Sequence, residues 1–290
     1  MLQTILRKAA KLMPRGRGLR RLCPRSLSTY VVARMQDLDS PIEVNGQKMY
    51  LDPLDSLGLL VWGSYEKDVT QLIKTVLRPG DVAIDLGAHI GYYTLLFASL
   101  VGERGKVFAF EPEPSNFELL TRNIRLNGYG NITAERLAVS GLDGKIRLYL
   151  MDRTGLGHSV HTHGPKKPFI EVRSARLDNY LGAAGKRIDF IKMDIEGGEY
   201  AALRGMESLL LRNQNVKIVT EFYPAKLNQA SSSAEEYLAT LRRHEFLIYD
   251  LKRKSDEPAR IEDLVSRYRE NEATDILCSR SPVAIGSVDT

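Results

Sequence analysis

Short apolar runs alternate with amphipathic stretches between residues 81 and 139 of the 290-residue chain. A short apolar run bounded by turn formers predicts a buried strand, whereas apolar residues spaced three and four apart predict a helix. Strands that alternate with helices in this way indicate a parallel sheet with right-handed crossovers. The predicted strands cover residues 82–86, 107–110 and 133–139, and the predicted helices cover residues 92–100 and 115–126.

The same alternation continues through the second half of the chain. Residues 188–194 and 216–221 predict the fourth and fifth core strands, with a helix over residues 200–211 between them. Residues 65–77 have one apolar face and predict a helix before the first strand. Ser115 is the expected N-cap of the helix that follows the second strand. Further helices are predicted over 177–181, 233–243 and 261–268, and further strands over 145–151, 169–172, 246–251 and 275–279.

A glycine turn, Gly87-Ala-His-Ile-Gly91, follows the first predicted strand. Gly87 permits a sharp turn, Gly91 permits close helix–strand packing, and the N–H groups of the new helix are expected to face a ligand. The spacing is not the Gly-x-Gly-x-x-Gly of a pyrophosphate-binding turn, and Asp85 at its start would repel a pyrophosphate. A carboxylate suits an ammonium and a sulfonium, so the turn favours S-adenosylmethionine over NAD.

A second acid, Glu111, ends the second predicted strand, about 20 residues beyond the glycine turn. A carboxylate at this place accepts hydrogen bonds from both hydroxyls of an adenosine ribose. The alternative is a generic α/β turn followed by a surface glutamate.

Three segments together resemble the FkbM-type S-adenosylmethionine-dependent methyltransferases, over about residues 51–280. They are Asp85-Leu-Gly-Ala-His-Ile-Gly-Tyr-Tyr-Thr94, Phe110-Glu-Pro112 and Ile188-Asp-Phe-Ile-Lys-Met-Asp-Ile-Glu-Gly-Gly-Glu199. The third, with its Lys-x-Asp-x-Glu-Gly-x-Glu pattern, narrows the resemblance to this family. The resemblance implies a Rossmann-like class I methyltransferase fold, with a seven-stranded, mostly parallel sheet, helices on both faces and an antiparallel last strand.

The resemblance also implies residues that hold S-adenosylmethionine. His89 stands where the family usually has Asn, and both side chains can hydrogen-bond the methionine part of the cofactor. The family places the segment that ends the third strand beside the adenine, which corresponds to Ala138. The expected cofactor-binding residues are Asp85, Gly87, His89, Gly91, Glu111 and Ala138.

Two residues of the fourth predicted strand, Lys192 and Asp194, are the catalytic candidates. Alternate residues of a strand point to the same side, so the ammonium is expected to keep Asp194 ionised. Methyl transfer to a hydroxyl needs alignment and removal of the hydroxyl proton. Asp194 is therefore the candidate general base or hydroxyl orienter, and Lys192 its electrostatic partner. The alternative is a structural ion pair. Glu196 and Glu199 are expected to serve the following loop and helix start.

Four residues are candidates for the substrate side. Tyr65 and Glu66 belong to a lead-in that, in FkbM-like proteins, lies across the active-site mouth; a plain packing helix is the alternative. Glu221 ends the fifth strand, as a second base, a metal ligand or a structural acid. His158 lies in the irregular stretch 152–168, which contains two more histidines. That stretch is interpreted as a substrate loop rather than a metal site, and no metal ligand is assigned.

Charge divides the chain near residue 40. Residues 1–40 carry nine Lys and Arg against two Asp, which leaves 32 basic and 34 acidic residues in 41–290. We therefore expect a basic N-terminal extension before an FkbM-like methyltransferase domain. The extension is interpreted as a poorly ordered tail, a weak contact with a membrane surface or an organelle transit peptide. The near-neutral remainder argues against a nucleic-acid partner.

The predicted activity is methylation of a hydroxyl on a sugar, glycolipid or secondary metabolite, a substrate class that the resemblance supplies. One alternative is nucleic-acid methylation, although the Asn/Asp-Pro-Pro-aromatic block of amino-group methylases is missing after the fourth strand. Another is a non-catalytic cofactor-binding or scaffold protein. Two distant cysteines and the absence of a long apolar run predict a cytoplasmic protein, peripheral to a membrane if the extension binds one.

Overall fold

The structure is a computed structural model that describes residues 39–150, 158–159, 168–182, 187–230, 232–268 and 272–285. Its strands are β1 Ile42–Val44, β2 Gln47–Met49, β3 Val82–Leu86, β4 Lys106–Phe110, β5 Ile132–Glu135, β6 Ala138–Val139, β7 Gly144–Leu150, β8 His158–Ser159, β9 Phe169–Ala175, β10 Phe190–Met193, β11 Lys217–Phe222, β12 Leu247–Asp250 and β13 Thr274–Ser279. Its helices are α1 Leu59–Trp62, α2 Lys67–Val76, α3 Tyr92–Val101, α4 Pro114–Asn127, α5 Leu177–Leu181, α6 Glu199–Arg204, α7 Glu207–Arg212, α8 Pro224–Gln229, α9 Ala234–Arg243 and α10 Ile261–Arg267.

A seven-stranded sheet with the order β12-β13-β11-β10-β3-β4-β5 forms the centre of the described residues. The strands are parallel except β13, which pairs antiparallel with both β11 and β12. This topology confirms the predicted class I methyltransferase fold, including the antiparallel last strand. The strand order reverses between β3 and β10, and ligands of open α/β sheets bind at such a switch point.

Helices cover both faces of the sheet because its central strands are apolar on both sides. On β10, Ile191 belongs to a core shared with α6, α7 and α9, which includes Leu203 and Leu241. The preceding residue, Phe190, belongs to the opposite core, shared with α2 and α3. Successive side chains of a strand point to opposite faces, so one short apolar run serves both cores.

The register brings the polar strand ends to one edge. Met193 of β10 pairs with Leu86 of β3 and with Thr220 of β11, and Leu86 pairs with Phe110 of β4. The residues that follow these partners therefore share the carboxyl edge. Because β13 runs the other way, its beginning meets that edge as well, with Asp275 paired to Glu221.

The predicted third strand over residues 133–139 was wrong in one respect. The core strand β5 ends at Glu135, and Ala138 lies on β6, which pairs with β9 in a separate sheet of order β6-β9-β7-β8. The Glu135 carbonyl accepts from Glu111 N at 3.1 Å and from Leu137 N at 3.0 Å, so the chain turns at this point. The apolar run continues across the turn, because Leu137 and Ala138 are also buried.

Two helix predictions also need correction. Ser115 is not the N-cap of α4: Pro114 takes the first helical position, and the Glu113 carboxylate accepts from Asn116 N at 2.7 Å. Proline is pre-set for that position and has no N–H to leave unpaired there. The helix predicted over residues 200–211 is two helices, α6 and α7. They separate at Gly205, where an added Cβ would lie 2.1 Å from the Ser140 carbonyl oxygen.

Among the described residues, we find no helix with the length and apolar character that a membrane span requires. Residues 1–38 lie outside the described residues, so the division of the chain near residue 40 stays a prediction.

Candidate active site

A cavity of about 180 Å³ lies at the carboxyl edge of the sheet, beside the ends of β3, β4 and β10. The structure brings most of the predicted site residues to its wall. Those lining it are Tyr65, Asp85, Gly87, His89, Glu111, Ala138, Lys192 and Asp194. We call it the first cavity.

The glycine turn between β3 and α3 is fixed by its own amides. Gly87 N and Ala88 N both donate to the Phe110 carbonyl at 3.0 Å, and His89 N donates to Glu111 Oε2 at 2.8 Å. These groups hold the ends of β3 and β4 together. The helix itself begins at Tyr92, and the expectation that its first N–H groups face a ligand stays a prediction. His89 has φ 51°. Asn and His both occur more often than most residues in this left-handed region, which gives a backbone reason for finding either at this position.

Gly87 brings the glycine turn into contact with the backbone of the candidate catalytic residue, Asp194. Its φ is +82°, and an added Cβ would lie 2.0 Å from the Asp194 carbonyl oxygen. The Asp194 amide in turn donates to the Leu86 carbonyl at 3.0 Å. The backbone of Asp194 is therefore held against the end of β3, and only glycine fits where the two segments pass.

Gly91 does not line the first cavity. It has φ +97° at the start of α3, and an added Cβ would lie 2.8 Å from Leu120 Cδ1 of α4. Close packing of the start of α3 against α4 therefore explains why this position is a glycine. Its cofactor-binding role stays a prediction.

Asp85 is buried at the end of β3, with 2% of its surface exposed. The Thr94 hydroxyl donates to Asp85 Oδ2 at 2.6 Å and orients the carboxylate. Burial raises the pKa of Asp85 to about 6, against the opposing effects of Thr94 and the Lys192 ammonium. The carboxylate is ionised at neutral pH and adds negative charge to the cavity wall.

Glu111 is the acid at the end of β4, and it is 5% exposed. One oxygen accepts from His89 N at 2.8 Å and the other from Glu113 N at 2.9 Å. Burial raises the pKa of Glu111 to about 7, although these two hydrogen bonds oppose the shift. A carboxylate has about four acceptor positions, so two backbone donors leave capacity for a pair of ligand hydroxyls.

Lys192 is the most buried charge of the site, with 1% of its side chain exposed. Its ammonium lies 3.3 Å from Asp194 Oδ2, 3.6 Å from Asp275 Oδ1 and 4.0 Å from Glu66 Oε2. Burial alone would lower the pKa of Lys192, but the three carboxylates outweigh it, and the pKa is raised well above its ordinary value. For Asp194, burial has the opposite effect and tends to raise the pKa, but the Lys192 and Lys226 ammonium groups lower it below its ordinary value.

A second lysine, Lys226 of α8, bridges Glu196 and Glu221. Its ammonium contacts Glu196 Oε2 closely and lies 3.1 Å from Glu221 Oε2. Burial and the nearby Asp194 raise the pKa of Glu221 to about 9. The Lys226 ammonium opposes this shift, and the role of Glu221 as a second base or metal ligand stays a prediction.

Glu199 has the role that the sequence predicted for it, at the loop and helix start. Its side chain accepts from Ile195 N at 3.1 Å and from Gly197 N at 3.2 Å, and it is 2% exposed. Glu199 thus holds the loop that follows Asp194.

Tyr65 and Glu66 precede α2 instead of lying within it. Tyr65 lines the first cavity and makes edge contacts with the rings of Tyr92 and Tyr93. Glu66 lies on the other side of Lys192 and accepts from the Tyr93 hydroxyl at 2.7 Å. Tyr65 therefore lies on the wall of the first cavity and Glu66 does not, and the substrate role of both residues stays a prediction.

The predicted substrate-loop histidine, His158, is not among the residues that line the first cavity. His158 lies on β8 at the edge of the second sheet, and His161 and His163 are outside the described residues. Within the part of the chain that the structure describes, no group of three or more His, Cys, Asp or Glu residues is arranged to hold a metal ion.

Sequence reasoning did not select Asp275 or Lys226. Asp275 was predicted to begin the antiparallel last strand, and that orientation alone places the start of the strand at the carboxyl edge. Lys226 had no comparable signal, because it lies on a short helix and reaches Glu196 only through the fold.

Comparison with known protein families matches the segment of the sequence that contains this site. The sequence model of the family described as methyltransferase FkbM domain matches residues 85–248, more than half of the chain. The match begins at Asp85 and includes Glu111, Lys192, Asp194 and Glu221.

Three curated relatives are similar over part of the chain. Hexuronic acid methyltransferase AglP of Haloferax volcanii is 29% identical over 147 residues, covering 50% of this chain and 58% of that protein. Methyltransferase 1 of Beauveria bassiana is 28% identical over 144 residues, covering 43% and 57%. The 31-O-demethyl-FK506 methyltransferase FkbM of Streptomyces tacrolimicus is 27% identical over 203 residues, covering 59% and 75%. The chain thus spans less than two thirds of the length of the first two.

Proposed function

The chain belongs to the FkbM methyltransferase family, and on that premise we propose that it transfers a methyl group from S-adenosylmethionine to a hydroxyl group. The observation that carries this proposal is the wall of the first cavity. It has a buried ribose-type acid, Glu111, and an ionised aspartate, Asp194, whose ammonium partner Lys192 is buried beneath it.

The residues of the first cavity fit S-adenosylmethionine by their chemistry. The carboxylates of Glu111 and Asp85 suit the ribose hydroxyls and a positively charged ligand, and Ala138 offers an apolar surface to an adenine. When bound, S-adenosylmethionine supplies an electrophilic methyl group on a sulfonium. The protein's part is then to hold the ligand, align the acceptor and accept a proton.

Asp194 is the group we assign to the acceptor hydroxyl. Its side chain is 26% exposed, so it is accessible from the cavity, while Lys192 behind it is closed to solvent. The lowered pKa of Asp194 makes it a weak proton acceptor at equilibrium. Asp194 therefore acts first as an orienter that accepts a hydrogen bond from the hydroxyl, and takes the proton as the hydroxyl becomes acidic during transfer.

The substrate class comes from the named activities of relatives. One relative is named for hexuronic acid methylation and another for methylation at an oxygen of FK506. We therefore propose a hydroxyl of a sugar, glycolipid or secondary metabolite as acceptor. The cytoplasmic location and a weak membrane contact through residues 1–40 stay predictions.

The competing interpretation is a non-catalytic protein in which Lys192 and Asp194 form a structural ion pair. Calorimetric titration with S-adenosylhomocysteine tests the cofactor, and release of S-adenosylhomocysteine with a panel of sugars and lipids tests transfer. The Asp194→Asn variant should bind S-adenosylhomocysteine like the wild type and lose turnover. Asp263→Asn, at an exposed position of α10, is the matched control and should retain both.

Two outcomes would contradict the proposal. Absence of S-adenosylhomocysteine binding to folded wild-type protein would remove the cofactor assignment. Full turnover by Asp194→Asn would leave methyl transfer in place but remove Asp194 from it.

A further inference from the structure

A second cavity of about 290 Å³ lies beyond Lys192, away from the glycine turn. It is lined by the start of α2, the end of β11, the turn after β12 and the start of β13. The contributing residues are 66–69, Glu221, 251–252 and 273–275. None of the cofactor candidates lies on its wall.

Two lysine bridges form the boundary between the two cavities. Lys192 joins Asp194, on the first cavity, to Glu66 and Asp275, on the second. Lys226 joins Glu196 to Glu221 in the same way. Each ammonium thus has carboxylate partners on both sides. A ligand in the second cavity would contact Glu66, Glu221 and Asp275, whose lysine partners also contact carboxylates of the first cavity.

The inner end of the second cavity has more carboxylates than cations. Glu66, Glu221 and Asp275 are there, with side chains 25%, 22% and 19% exposed. The cations of the outer wall are engaged or solvated, since the Lys252 ammonium donates to the Ala273 carbonyl and Lys67 is exposed.

Burial and the neighbouring carboxylates act in the same direction on the pKa of Asp275. Burial, with further contributions from Glu66 and Asp194, raises the pKa of Asp275 to about 7, although the Lys192 ammonium opposes the shift. Carboxylates that outnumber the neighbouring cations, as Glu66, Glu221 and Asp275 do, are stabilised by hydroxyl donors and by an ammonium, and they repel a further anion.

We infer that the second cavity binds the methyl acceptor, and that its inner wall selects a polyhydroxyl or amino-bearing acceptor over one that presents a carboxylate there. This inference rests on the proposed function and narrows its substrate class. The inferred acceptor differs from hexuronic acid, the substrate for which one relative is named. Glu66 and Asp275 accept hydrogen bonds from the acceptor. Because Asp194 and Asp275 contact the same Lys192 ammonium, at 3.3 and 3.6 Å, these two carboxylates are less than about 7 Å apart, and the acceptor's reacting hydroxyl reaches Asp194 across this pair.

Three sugars with the same ring test the inference: methyl glucopyranoside, its 2-amino analogue and its uronate. Each is titrated into full-length protein saturated with S-adenosylhomocysteine, and amide chemical shifts are followed by NMR. We expect saturable shifts at Val69 and Ala273, with the amino sugar binding about tenfold or more tighter than the uronate and the neutral sugar in between.

Two isosteric variants provide the matched control. Asp275→Asn removes a charge from the inner wall of the second cavity and should reduce the difference in affinity between the amino sugar and the uronate. Asp68→Asn removes a charge at the rim, where the side chain is 62% exposed and paired with Lys254, so solvent screening should leave the difference nearly unchanged.

Uronate binding as tight as the amino sugar, shifts centred outside the second cavity, or no saturable shift from any probe would each overturn the inference. These outcomes are distinct from failure of the proposed function, because S-adenosylhomocysteine binding is measured first in the same sample. Its absence would contradict the cofactor assignment, whereas its presence with a uronate preference would contradict only the acceptor class.

Discussion

Removal of the Glu111 carboxylate should weaken cofactor binding more than it weakens the fold. In the structure, Glu111 receives backbone hydrogen bonds from His89 and Glu113 and still has acceptor positions on the cavity wall. In Glu111→Ala, a ribose loses its charged acceptor, and two partly buried N–H groups lose their partner.

The magnitude follows from the hydrogen bonds involved. A hydrogen bond to a charged group contributes about 1.5–3 kcal/mol. At 1.4 kcal/mol per factor of ten, the variant should bind S-adenosylhomocysteine about 10- to 150-fold more weakly. Calorimetric titration of wild type and variant measures this directly.

The neighbouring acid provides the control. Glu113 caps α4 and does not line the first cavity. Glu113→Ala should lose about 0.5–2 kcal/mol of stability, the usual effect of a lost cap, and keep its affinity for S-adenosylhomocysteine. Both free energies of unfolding are obtained from urea denaturation, so a loss of fold is separated from a loss of binding.

The same group predicts the direction of the pH dependence. The pKa of Glu111 in the free protein is about 7, and only the ionised form accepts from both hydroxyls of a diol. Affinity should therefore increase as pH rises through 7, and Glu111→Ala should lose this change. A remaining change centred near 6 would belong to Asp85, whose pKa is about 6. Equal affinity of folded wild type and Glu111→Ala at every pH would refute the ribose role.

Two further predictions concern stability. Gly87→Ala places a Cβ 2.0 Å from the Asp194 carbonyl, so the variant should lose about 1–2 kcal/mol of stability from the left-handed backbone and about 1–3 kcal/mol from overpacking. Gly128→Ala, at φ +69° in open space, should lose only the backbone contribution. Equal losses of stability in urea denaturation would contradict the contact between Gly87 and Asp194. Lys192→Met leaves three carboxylates without their cation and should cost about 3–5 kcal/mol. Since those carboxylates then gain raised pKa values in the folded state, the loss should grow with rising pH, and a pH-independent loss would refute the electrostatic account.

Local patterns in the sequence were sufficient for the central elements. The predicted strand over residues 82–86 matches β3, and the helix after the glycine turn begins at Tyr92 as expected. Hydrophobic periodicity reports which faces are buried, and a glycine at a turn reports a backbone that other residues rarely adopt. The acids at Asp85, Glu111 and Asp194 were identified for a related reason, because parallel strands place their carboxyl ends at one edge.

Local patterns do not reveal which residues from distant segments come into contact in the fold. Leu137 and Ala138 are buried whether they extend the core strand or enter a second sheet, so their apolar character did not distinguish the two. The contact of Lys192 with Asp275 depends on β13 entering beside β11 with a particular register. Sequence by itself determined the central strands and helices, the glycine turn and the row of acids, since these follow from short-range periodicity and backbone preference. Only the tertiary structure decided the lysine bridges and the second cavity, since both depend on strand order and register between distant segments.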